Sequence, residues 1–174
     1  AIAAHAATRV AQGQTVFLDA GTTCAALAEA LPDTLTLRVV THSIENVLQL
    51  RARPLVEIVC AGGRYERELG SCIGDAAEQT LGQFHADIAF LAAASVNADQ
   101  GLVNNHLGER AIKRIIHGQC GTCCLLADSA KFGVYGAQST VSIDEFRGEI
   151  ITDSGLPDEQ RALFEARGIR VSVV

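Results

Sequence analysis

Residues Val16 to Leu27 read VFLDAGTTCAAL, and the fold turns on what that stretch is. Strand-forming residues from Thr15 to Leu18 run into Asp19, the chain turns at Gly21, and a pair of threonines opens a helical pattern. Thr22 or Thr23 is placed to cap a helix over Cys24 to Leu31, where Leu27 and Leu31 share a face and Pro32 marks the stop. A strand, a glycine turn and a capped helix make the first half of a βαβ unit.

The alternation recurs down the chain. Strands are expected over 15–19, 35–40, 56–61, 87–94, 123–127, 148–152 and 169–174. Ser43 caps a second helix in which Ile44, Val47, Leu48 and Leu50 are apolar. A third helix runs from Asp75 to Phe84, a fourth from Leu107 to His117, and the last opens at Pro157 with Leu163 and Phe164 facing inward. The strand runs are continuous rather than alternating, as befits a parallel sheet covered on both faces. Upstream of the first strand, Ala-rich residues 1–12 read as a helix leading in from something before them. The chain divides into that connecting segment, 1–14, and one α/β domain, 15–174.

Composition bounds the function. At 174 residues, 48% apolar and 20% charged, the chain suits one globular domain. No apolar run approaches the ~20 residues that span a bilayer, and no basic region precedes a long apolar block at the start, so the expected compartment is the cytoplasm. The formal net charge is −6 and the 14 basic residues are scattered, so this chain alone does not grip nucleic acid. The six cysteines do not suggest a disulfide framework: Cys60, within LVEIVCA, and Cys124, within CCLLA, read as small core residues. A metal site from His117, Cys120, Cys123 and Cys124 is the sharper alternative. If CCLLA is a strand, however, Cys123 and Cys124 point to opposite faces and cannot both hold one ion. Neither metal nor cofactor is expected.

In open α/β sheets ligands bind beyond the carboxyl ends of the strands. The first five strands lead in turn to Asp19-Ala20-Gly21-Thr22-Thr23, Thr41-His42-Ser43, Gly62-Gly63-Arg64, Ser95-Val96-Asn97 and Asp128-Ser129-Ala130-Lys131. Helix N-termini cradle anions, hydroxyls donate, and glycine admits close approach. Arg64, Lys113 and Lys131 are candidates to neutralise a phosphate, and Asp19 and Glu109 to accept from sugar hydroxyls. Singly, each has a bland account: helix caps for Thr22, Thr23 and Ser43, a turn for Gly62 and Gly63, solvated charges for Arg64 and Lys131, and an exposed i,i+4 pair for Glu109 and Lys113. His42 is given no task, and His106 is read as an exposed loop residue. The coincidence of five polar loops at one sheet end favours a pocket for a phosphorylated polyol.

The order FLDAGTT (17–23), VVTHS (39–43), AGGRY (61–65), DIAFLAAASVNADQGL (87–102), ERAIKR (109–114) and LADSAKFG (126–133) resembles the C-terminal effector-sensing domain of DeoR-family transcriptional regulators. The resemblance covers essentially the whole chain. It implies a three-layer, Rossmann-like parallel sheet similar to ribose-5-phosphate isomerase, glucosamine-6-phosphate deaminase and CoA transferases. It also implies a phosphorylated sugar or related metabolite as effector, an oligomeric assembly, and operator DNA bound only through a winged helix-turn-helix domain preceding residue 1, usually to repress carbohydrate genes. The effector residues it implies are Asp19, Gly21, Thr22, Thr23, Thr41, Ser43, Gly62, Gly63, Arg64, Glu109, Lys113 and Lys131; Ser95 and Asn97 join them from the loop after the fourth strand. Two positions depart from the family pattern: His42 stands where Asn is usual and Ala94 where Asp often is, which makes a less acidic pocket floor the expectation. Glycerol phosphate, a ketose phosphate and an amino-sugar phosphate all fit such donors. A sugar-phosphate isomerase or deaminase of the same fold is the rival; without that second carboxylate, a sensor that binds without turnover is favoured.

Overall fold

All seven expected strands align in one sheet. The computed structural model describes residues 1–136 and 138–174. In chain order its elements are α1 (Ile2–Ala7), β1 (Thr15–Leu18), α2 (Thr22–Ala30), β2 (Leu37–Thr41), α3 (Ile44–Leu50), β3 (Val56–Cys60), β4 (Arg64–Glu66), β5 (Ser71–Ile73), α4 (Asp75–Gly82) and β6 (Ala86–Ala92). The second half holds β7 (Ser95–Asn97), β8 (Gly101–Val103), α5 (Leu107–Gly118), β9 (Cys120–Leu126), a 3-10 turn at Ser129–Lys131, β10 (Ser139–Val141), β11 (Glu149–Thr152), α6 (Asp158–Glu165) and β12 (Arg170–Val173). The main sheet has the order β12-β11-β9-β6-β1-β2-β3, and every neighbouring pair in it is parallel.

Side-chain alternation along these strands feeds two cores. Phe17, Val40, Ala89, Leu91, Cys123, Leu125 and Ile150 pack with α4, α5 and Phe164 of α6 on one face. Val16, Leu18, Val39, Phe90, Cys124, Leu126 and Ile151 pack with α1, α2 and α3 on the other. The three-layer α/β architecture is therefore present. Cys123 and Cys124 do lie on opposite faces, and among the described residues no group of three or more His, Cys, Asp or Glu stands close enough to hold a metal.

Several local expectations are corrected. Helix α1 ends at Ala7 rather than near residue 12. Helix α2 begins at Thr22, and its N-cap is Gly21, so neither threonine is the cap. Leu163 is exposed while Phe164 is fully buried; consecutive helical residues point about 100° apart, so one faces water. Cys60 is exposed, since it ends β3, an edge strand with β2 as its one sheet neighbour. Ser95 to Asn97, expected as a loop, form β7 in a small sheet of order β10-β8-β7, and the antiparallel hairpin β4–β5 adds to the expected elements. Three-residue strands leave too short a pattern to read.

Candidate functional site

The β1–α2 turn is built on a glycine for a reason. Gly21 has φ +126°, and a Cβ there would sit 3.1 Å from that of Ala92 on the neighbouring strand. The first helical hydrogen bond runs from Ala25 N to Gly21 O, so the backbone N–H groups of Thr22, Thr23 and Cys24 have no acceptor within the helix. Cys24, Leu27 and Ala28 turn into the core. The opposite side of α2, with Thr22, Ala25, Ala26 and Glu29, lines a cleft of about 620 Å³.

The far wall of that cleft comes from α3. Ser43 caps α3 as expected, its Oγ accepting from Asn46 N at 3.3 Å. Ser43, Glu45 and Gln49 line the cleft, Glu68 and Leu69 enter from the β4–β5 turn, and Glu109 comes from α5. The lining holds four glutamates and neither Lys nor Arg, so Ala94 does not leave the site poor in acid. Helical spacing of Thr22, Ala26 and Glu29 would have signalled one wall; nothing in the sequence signalled Glu68 or Leu69.

Beneath the cleft lies a buried ionic cluster. Asp19 is fully buried and Lys113 is 1% exposed. Asp19 Oδ1 stands 3.0 Å from His42 Nε2, and Oδ2 accepts from Ala92 N at 2.9 Å and from Lys113 Nζ. Lys113 also donates to Ala92 O at 2.9 Å and lies 3.5 Å from Glu109 Oε1, while Asn104 donates to Glu109 Oε2 at 3.1 Å. Glu109 and Lys113 are thus a buried pair rather than an exposed one, and both Asp19 oxygens are taken. Burial by itself would raise the Asp19 pKa, but Lys113 and then His42 overcome it and hold the group at about 2, against 3.8 ordinarily. Burial likewise opposes the charged form of Lys113, yet Asp19 and Glu109 raise its pKa.

A carboxyl whose pKa is depressed on folding contributes stability above its unfolded value and loses it as pH falls through the folded one. The Asp19 shift is therefore expected to cost the chain about 2 kcal/mol between roughly pH 4 and pH 2. Urea titrations across that interval check it; a flat profile there would contradict the buried pairing.

The remaining candidates distribute around this centre. Thr41 is buried, donating to Leu18 O at 2.6 Å and accepting from Ser43 N at 3.1 Å, which ties β2 to β1. Thr23 lies outside the cleft, in a shallow depression with Ala1, Ile2, Ala3 and Asp153 that Thr22 and Ala26 also border. Gly62 and Gly63 lead into β4; at Gly63, φ is +120° and a Cβ would meet Ile73 O at 2.7 Å. Arg64 is exposed and pairs with Glu66 at 2.7 Å. Ser95 and Asn97 are buried on β7, where Asn97 Oδ1 accepts from Asp99 N at 2.8 Å. Lys131 lies 3.6 Å from Asp128. Burial, with the Asp19 charge beside it, drives the Cys24 thiol far up. So Gly21, Thr22, Ser43 and Glu109 line the cleft, Asp19, Lys113 and Thr41 support it from below, and the others lie outside its lining.

A family model described as the DeoR C terminal sensor domain matches residues 1–154. The HTH-type transcriptional regulator GolR of Listeria innocua is 27% identical over 173 residues, which is 99% of this chain and 68% of that protein. The glycerol-3-phosphate regulon repressor of Escherichia coli is 32% identical over 132 residues, 76% of this chain and 52% of that one. The chain thus spans about half to two thirds of the length of these relatives. Among solved structures, ribose 5-phosphate isomerase A from Neisseria gonorrhoeae superposes with a TM-score of 0.55 at 16% identity, over 75% of this chain and 51% of that one. An identity that low shows a common fold and nothing about activity.

Proposed function

The chain belongs to the family of DeoR C-terminal sensor domains, and we propose that its cleft binds a phosphorylated sugar or polyol without turning it over. The observation that carries this is the convergence, at the carboxyl ends of β1 and β2, of the α2 N-terminus, Ser43 and a set of carboxylates in one cleft. The free N–H groups of α2 suit the phosphate. Glu29, Glu45, Glu68 and Glu109 suit hydroxyls, which donate to them.

Turnover of a sugar phosphate needs a general base within reach of a carbon-bound proton. The Asp19–Lys113 pair has no solvent exposure to speak of and its groups are spent on each other, on Ala92 and on His42. It holds the floor rigid and offers no reacting atom to the cleft.

In the whole regulator, effector occupancy would bias α1. That helix buries Ile2, Ala6 and Ala7 against Cys24, Leu27 and Ala28 of α2, and Arg9 just after it pairs with the largely buried Glu149. An effector that binds one seating of α2 more tightly shifts α1 with it, and so an operator-binding domain joined ahead of α1, in a cytoplasmic homo-oligomer. A thermal-shift panel of sugar and polyol phosphates tests the proposal: a bound phosphate ester should raise the melting temperature and be recovered unchanged after long incubation. Thr22→Val removes one hydroxyl from the lining and should weaken that ligand about fivefold, the equivalent of ~1 kcal/mol for one hydrogen bond. Conversion of the ligand would replace the sensor with an enzyme, and silence across the panel would remove the effector class.

A further inference from the structure

We infer that His42 is a positioning residue: its ring ties the hairpin wall of the cleft to the floor, and so sets effector affinity without touching effector. The binding half of this rests on the function proposed above; the structural half does not. His42 is fully buried. Its Nδ1 lies 3.0 Å from the carbonyl oxygen of Cys72, the middle residue of β5, and its Nε2 lies 3.0 Å from Asp19 Oδ1. Both partners are acceptors, so a ring protonated on both nitrogens donates to both. Nε2 is also 3.3 Å from the backbone nitrogen of Ala20, a donor, and a ring with a bare Nε2 accepts there instead. With Nδ1 protonated, Nδ1–H holds Cys72 in both of these states, and Nε2 holds the end of β1.

The hairpin needs such a tie. Two antiparallel strands of three residues are marginal by themselves. Backbone bonds dock this hairpin on the start of α3, from Ile44 N to Gly70 O at 3.1 Å and from Cys72 N to His42 O at 2.8 Å. Among the described residues the His42 ring is the polar link from the hairpin to the β1–α2 turn. The same hairpin carries Glu68 and Leu69 into the cleft. The imidazole thus ties the hairpin to the floor directly, beside the Asn46 amide of α3, which donates to Asp19 O at 2.9 Å.

His42→Gln tests this, because a carboxamide carries both its donors on one nitrogen and cannot donate to two acceptors on opposite sides of the side chain. Hydrogen–deuterium exchange on the chain should show amides 66–73 exchanging at least about tenfold faster in H42Q, beyond any rise in β1, β2 and β6. Ile151→Val, which removes a core methyl near the other end of the sheet, is the control for general loosening. Equal hairpin exchange in the two variants overturns the proposal. Should H42Q not fold, nitrogen NMR of the wild-type ring decides: a protected Nδ1–H coupled to the Cys72 carbonyl supports it, and an unprotonated Nδ1 overturns it. For binding, glucose 6-phosphate, glucosamine 6-phosphate and glycerol 3-phosphate are the probes, and whichever the wild type holds should bind H42Q about tenfold more weakly. Equal binding sinks the role of His42 and leaves the effector proposal standing. Failure of any phosphate ester to bind wild type sinks the effector proposal and leaves the exchange comparison intact.

Discussion

Lys113→Met is expected to destabilise the chain by about 3–5 kcal/mol, because it strands a buried carboxylate. Asp19 has no exposed surface, and Lys113 is its closest cationic partner. Removing the ammonium also leaves Ala92 O and Glu109 short of a donor. Methionine is unbranched and only one heavy atom shorter than lysine, so packing changes little and the loss is chiefly electrostatic. The pH profile separates this from ordinary core damage. Wild type loses stability as acid protonates Asp19, whereas the variant should recover relative to wild type as the pH drops toward 4, since a neutral carboxyl is cheaper to bury than a bare charge. Urea midpoints of the two proteins at pH 7 and pH 4 measure the loss and the relative recovery. A loss below about 1 kcal/mol at pH 7, or a variant that tracks wild type into acid, would mean the pair is not as drawn.

Phe90→Ala should cost a similar amount, about 3–5 kcal/mol, by a different mechanism. Phe90 is fully buried on β6, between β1 and β9, in the core shared by α1, α2 and α3. Truncation leaves a cavity that the rigid flanking strands cannot close. For a chain of this size the melting temperature should fall by roughly 6–20 °C, with an unchanged denaturant slope. Helix α2 rests on that ring's cluster through Cys24, Leu27 and Ala28, so effector affinity should fall as well. Leu107→Ala is the contrast: Leu107 is 73% exposed, and its loss should lie within about 0.5 kcal/mol of neutral. Equal effects from the two would contradict the assignment of the core.

Much of the framework was legible in the residues. Seven apolar runs separated by helical patterns announced a parallel sheet, and all seven joined it. Ser43 announced α3, and Pro32 the end of α2, where Leu31 turns to an extended conformation. The polar turns after β1 and β2 pointed to the sheet end where the cleft lies. Less of the site itself could be read. Lys113 sits between Arg110 and Arg114 in a charged stretch and looks solvated; yet Glu109, Ile112, Lys113 and Ile116 share the buried face of α5. Whether such a stripe meets water or an opposing carboxylate is settled by what packs on it, here the end of β1, 94 residues away in sequence from Lys113.

The order of apolar and polar residues alone determined the layers, since continuous apolar strands need cover on both faces and a period-3.6 apolar stripe buries a helix on one. Strand neighbours were decided in three dimensions, because parallel pairing depends on crossovers that no local pattern encodes. The same holds for the site: DAGTT named the turn, but its aspartate is buried beneath the cleft rather than exposed in its lining. Burial assigns that role, through His42 and Lys113, and burial is a property of the packed chain.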